Sequence, residues 1–125
     1  MTVLGLLKKA GCLALVFMFS LQAKADIQHV VFLWLKVETP QATKSKIIEE
    51  SIALKSLSMV KHVSAGYALS SERSIVDDSY DIGIIFEFAS QADLAEFLVH
   101  PAHQTLVAQT VKPALDKILV YDIKE

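Results

Sequence analysis

Cysteine occurs once in the 125 residues, as Cys12, and arginine once, as Arg73; there are three prolines and four glycines. Four scattered glycines supply no glycine-rich phosphate loop, no Gly-x-Ser-x-Gly elbow occurs, and one cysteine makes no metal array. Nucleotide hydrolysis and serine-type acyl transfer are thereby disfavoured. Basic residues are sparse as well, and the one extended hydrophobic run, residues 10–21, spans 12 residues. That is short of the roughly 20 apolar residues that a membrane-spanning helix needs. Lys8 and Lys9 precede this run, and Ala23-Lys24-Ala25 follows it with small residues at the two positions a signal peptidase reads. Residues 1–25 are therefore expected to be a cleaved secretory signal and 26–125 a mature chain of 100 residues, secreted to the periplasm, without a membrane anchor.

Cys12 leaves with that segment, so the mature chain has no disulfide, thiolate nucleophile or cysteine metal site. Three lysines leave with it too, and what remains carries nine basic against 14 acidic residues, a net charge of −5 with histidines neutral. An acidic domain without a basic cluster argues against nucleic acid and anionic membranes as partners. One hundred residues support one compact domain with one core.

Residues 27–36 are apolar at nearly every position, the pattern of a strand covered on both faces, with Ile27, His29, Val31, Leu33 and Leu35 on one side and Val30, Phe32 and Trp34 on the other. Thr39-Pro40 reads as an N-cap and first-turn proline opening an amphipathic helix through Ile47, Ile48, Ile52, Leu54 and Leu57. Val63, Ala65, Tyr67 and Leu69 alternate in a second strand, residues 70–79 form a polar loop, and 80–88 form a third strand with Tyr80, Ile82, Ile84, Phe86 and Phe88 on one side. Ser90 caps a helix carrying Leu94, Phe97 and Leu98. Pro101 breaks it, a second helical stretch runs toward Pro113, and 118–123 form the last strand. Strand, helix, strand, strand, helix, strand is the split βαβ order of an α+β, ferredoxin-like domain with a four-stranded antiparallel sheet. Helices on one face leave the other face apolar, and a second copy of the chain is the expected cover.

The run His100-Pro101-Ala102-His103, together with the first strand Gln28-His29-Val30-Val31-Phe32-Leu33-Trp34-Leu35-Lys36 and the final Leu119-Val120-Tyr121-Asp122-Ile123, resembles the stress-responsive α/β-barrel (Dabb) family over essentially the whole mature chain. The resemblance implies a homodimer whose two sheets pack face to face into a barrel-like assembly. In the polyketide-cyclase branch of that family the second histidine of the motif is the catalytic base and the early first-strand histidine shares its pocket; these positions match His103 and His29. One departure stands out: that branch has a tyrosine three residues before the motif, and this chain has Phe97, so the hydroxyl donor is absent.

From the residues themselves, His103 shares a helical stripe with Leu106, Val107 and Thr110, and His29 shares a strand face with Ile27, Val31 and Leu33. Two inward imidazoles in an apolar interior suit acid–base work, because histidine titrates near neutral pH; two core histidines bonded to backbone or carboxylate are the plainer alternative. Phe32, Trp34, Tyr67 and Phe97 are candidates for lining an apolar substrate cavity, or are simply core and dimer contacts. His100 reads as a helix end and His62 as an exposed strand end. No metal site is expected, since Pro101 disrupts the helical alignment of His100 with His103. No cofactor is expected either, and nothing singles out a haem ligand. Two functions stay open: a binder of a small hydrophobic or phenolic molecule with histidine-based proton transfer, and a non-catalytic stress or structural protein that assembles through the same fold.

Overall fold

The computed structural model describes residues 15–16 and 26–125; the expected signal segment, save positions 15 and 16, lies outside the described residues. Strand β1 (Ile27–Leu35) is followed by helix α1 (Gln41–Ala53), strands β2 (His62–Tyr67) and β3 (Ile82–Phe88), and helices α2 (Gln91–Val99) and α3 (Pro101–Thr105). The α3 axis continues through a π-helical stretch, Leu106–Val111, and a short 3-10 turn, Lys112–Ala114, into β4 (Leu115–Lys124). The sheet order is β2-β3-β1-β4 with every neighbouring pair antiparallel, which is the ferredoxin-like arrangement. Among the described residues no helix is long and apolar enough to cross a membrane.

Alternation divides β1 as the sequence implies. Ile27, His29, Val31, Leu33 and Leu35 are buried under the helices, whereas Val30, Phe32 and Trp34 are half-buried on the opposite, open face. Phe88, Phe97, Leu33, Ile47 and Ile82 are the most deeply buried hydrophobic residues, and Phe97 packs its ring 4.9 Å from that of Phe86 and 5.1 Å from that of Phe88. Ser51 is fully buried among them and donates its hydroxyl to the Ile47 carbonyl at 2.7 Å, so that its only polar side-chain atom is satisfied.

Three local expectations are corrected. Thr39 does not cap α1: Pro40 itself occupies the N-cap position, with no side-chain hydrogen bond. Tyr80 leaves the face of Ile82 and packs on Phe32 across the open face, with ring centroids 4.9 Å apart. The cause is Asp81, whose carboxylate accepts the Leu35 amide at 2.7 Å and ends the regular ladder before Ile82. Gly83 leaves room for this: a Cβ there would lie 3.4 Å from the Tyr80 ring and 3.8 Å from Phe32. Thr110 is turned off the inward stripe, for reasons given with the site below. The Ser90 cap is present, with its hydroxyl accepting the Asp93 amide at 3.1 Å, and Pro101 opens α3 as its first residue.

Truncating Phe97 to Ala is expected to lower the unfolding free energy by about 3–5 kcal/mol, the usual cost of a large cavity in a closed core. Urea denaturation followed by circular dichroism measures it, and a loss under about 1 kcal/mol would contradict the packing described.

Candidate functional site

Register places His29 between two side chains on the helix-facing side of the sheet: Phe86 on β3 and Asp122 on β4 are its cross-strand partners. The buried imidazole meets the half-exposed Asp122 carboxylate with Nδ1 to Oδ1 at 2.5 Å, and its ring lies 5.9 Å from that of Phe86. A carboxylate only accepts, so Nδ1 carries the proton of this contact.

His103 comes from the first turn of α3. His100 ends α2 and caps α3 in one step: its amide donates to the Phe97 carbonyl at 3.0 Å, and its Nδ1 accepts the Ala102 amide at 3.0 Å. The expected helix-end position is therefore present, but the imidazole serves as a neutral acceptor for the next helix rather than as a cation for the last one. This turn brings His103 onto Phe97 with ring centroids 4.5 Å apart and its Nδ1 3.3 Å from the Leu98 carbonyl. Nδ1 donates to that carbonyl, which leaves Nε2 of His103 as a free base. Burial lowers the pKa of His103 below the ordinary histidine value; the Leu98 carbonyl works against this and the nearby His29 adds to it. The ring is thus held neutral at pH 7.

Both imidazoles face a cavity of about 370 Å³ between the sheet and the α2–α3 side of the helical layer. Val31, Leu33, Ile84, Ile118 and Val120 form its floor, Leu98, Leu106, Val107 and Val111 its roof, and Lys112 lies at its edge. Thr110, expected on this wall, instead donates its hydroxyl to Glu50 on α1 at 2.7 Å, and Val111 takes the inward place. The π-helical backbone explains the exchange, since its i→i+5 hydrogen bonds widen the turn and rotate later side chains away from α-helical positions. A larger and more open depression of about 640 Å³, bordered by Lys36, Glu38, Lys46 and Gln109, contains no imidazole.

Of the four aromatic candidates, the structure brings only Phe97 near the histidines, and it stands behind both rings rather than on the cavity wall. Phe32 and Trp34 lie across the sheet on the open face; Trp34 donates its indole N–H to Ser79 at 3.1 Å, and Lys117 stacks over its ring. Tyr67 is half-exposed at the start of α1, where its hydroxyl accepts from Gln41 at 2.8 Å. His62 is exposed at the head of β2. Among the described residues no group of three histidine, cysteine, aspartate or glutamate side chains is placed to hold a metal. Two site residues were not anticipated from the sequence. Asp122 had a readable signal, as the one acid within the apolar run 118–123; Lys112 had none, because its approach to the cavity depends on the π-helical turn.

The chain belongs to the stress responsive A/B barrel domain family, Dabb, whose family model matches residues 27–125. No curated protein sequence matches it. Among solved structures, a hydroxynitrile lyase from Passiflora edulis superposes with a TM-score of 0.70 at 24% identity, over 79% of this chain and 92% of that one. A protein of Arabidopsis thaliana gives 0.67 at 25% identity, covering 79% and 94%. A dimeric ferredoxin-like protein of unknown function from Thermobifida fusca gives 0.67 at 15% identity, covering 79% and 90%.

The lowered pKa of His103 fixes the sign of a pH effect. Between that lowered value and about 6.5 the unfolded chain binds a proton that the folded chain does not, so stability falls as the pH drops through this window. His103→Gln is expected to flatten this part of the profile in chemical denaturation between pH 7 and pH 5; an unchanged slope would show that burial of the ring is not what opposes its charge.

Proposed function

We propose that the protein is secreted to the periplasm after cleavage before Asp26, pairs through its open sheet face, and binds a small hydrophobic or phenolic molecule in the cavity beneath α3. There His103 acts as general base, and His29, oriented by Asp122, hydrogen-bonds the substrate. The observation that carries this reading is that two imidazoles face one apolar cavity, each with its Nδ1 engaged away from it, His29 by Asp122 and His103 by the Leu98 carbonyl. A base on one side and a hydrogen-bonding ring on the other suit removal of a proton from a hydroxyl or from carbon beside a carbonyl. A hydroxynitrile lyase with the same fold is in keeping with lyase or isomerase-like chemistry here.

Phe97 favours a second reading. It supplies no hydroxyl donor for a developing enolate and is fully buried as a packing residue, which suits a binding protein without turnover. His103→Gln separates the two. For a catalyst, product formation by the parent from a panel of phenolic ketones and cyanohydrins falls by about 10²–10⁴ in the variant. For a binder, no parent turnover is seen and only affinity changes.

Pairing through the open face rests on Val30, Phe32, Trp34, Ile85, Leu119, Tyr121 and Ile123, an apolar patch across β3, β1 and β4. The Thermobifida neighbour is described as dimeric. Phe32→Asp is expected to turn a dimer into a monomer in native mass spectrometry at micromolar concentration, and a parent that is itself monomeric would refute the proposal.

A further inference from the structure

This inference rests on the pocket reading above and adds the class of ligand. Residues of β1 and of α3 with its π-helical continuation line the same cavity, and its lining includes two imidazoles and one lysine. His103 lies beside His29 at one end. At the other, Leu33 pairs with Ile118 and Leu35 with Leu115, and Lys112 is three residues before Leu115 at the close of the helical stretch. The four residues from His29 to Leu33 span about 13 Å at strand rise. The nine from His103 to Lys112 would span about 13 Å in a regular helix and less where the π-helical turn is wider, so the two lengths are of one order.

Between these ends the wall is hydrocarbon, apart from Ser51, whose hydroxyl is committed to the Ile47 carbonyl. Lys112 is the only lysine, arginine, aspartate or glutamate among the residues lining the cavity. Among the described residues it takes part in no ion pair, while nearby Glu50 is engaged by Lys46 and Thr110. An exposed lysine on such a wall lays its stem against the hydrocarbon and keeps its ammonium in water at the mouth. We propose that Lys112 anchors the carboxylate of an elongated ligand, an apolar monocarboxylate about 10–13 Å long whose far end offers a carbonyl or phenol to the histidines. Lys112 is then a specificity-determining residue. It sets the register of the ligand by pairing at the mouth and leaves the proton-transferring end to His103 and His29.

The test compares octanoate with 1-octanol by isothermal titration calorimetry, using the parent, Lys112→Gln and Lys112→Arg. The two probes share an alkyl chain and differ in the charge at one end. The expected result is that the parent prefers octanoate by about fivefold, in keeping with a partly exposed ion pair, and that the preference shrinks as salt is raised. Lys112→Gln should erase the preference while binding 1-octanol as the parent does, and Lys112→Arg should retain it. If octanoate and octanol bind the parent equally, or if Lys112→Gln leaves octanoate affinity unchanged, the anchor is refuted and the cavity stands. If neither probe binds the parent, the pocket reading fails and the anchor falls with it.

Discussion

Strand β1 is hydrogen-bonded along both edges, to β3 over Ile27–Leu33 and to β4 over Ile27–Leu35, and the site exists because of that double register. Each residue from Ile27 to Leu33 has a fixed neighbour on either side, and a slip of one position would send every side chain to the opposite face. His29 would then leave the core, and Asp122 would no longer face its Nδ1. Burial of Leu33, Ile82 and Phe88 against the helices holds the register far more firmly than the histidine–carboxylate contact does, because one face of each strand is tied to the core. The chemistry of the site is carried on an apolar lock.

The same strand shows what was legible beforehand. Its apolar character on both faces, the Ser90 cap and the break at Pro101 are short-range signals, and each has its counterpart in the structure. Inward placement of His29 followed from alternation alone, and that of His103 from spacing within its first helical turn. The aromatic candidates were less legible, because composition says that large rings are buried without saying under which layer. Phe32 and Trp34 share β1 with His29 and still lie across the sheet from it, while Tyr80 changes face because Asp81 ends the ladder through a side chain. Interactions between a side chain and a distant backbone amide leave no periodic trace in a sequence.

The polar groups of the site have unequal partners, and this sorts their roles. Asp122 meets His29 from a half-exposed position, so the carboxylate retains much of its hydration while fixing the ring tautomer. His103 has only a backbone carbonyl on Nδ1 and an aromatic ring against its face, and burial opposes its charge. Of the two rings, His103 has no carboxylate to stabilise a captured proton. A proton on it would be the more readily given up, which is the property a returning base requires.

The π-helical stretch links the cavity to the remaining architecture. An α-helix continued from His103 would point Thr110 into the cavity and add a hydroxyl to an otherwise apolar roof. The wider turn replaces it with Val111 and releases Thr110 to bind Glu50 on α1, so α1 and the continuation of α3 are tied by the residue that the cavity excludes. π-helical hydrogen bonding is rarely adopted and tends to occur at functional sites. Here one irregular turn makes the roof apolar, fastens α3 to α1 and delivers Lys112 to the mouth. A regular helix through the same residues would have to give up at least the first two.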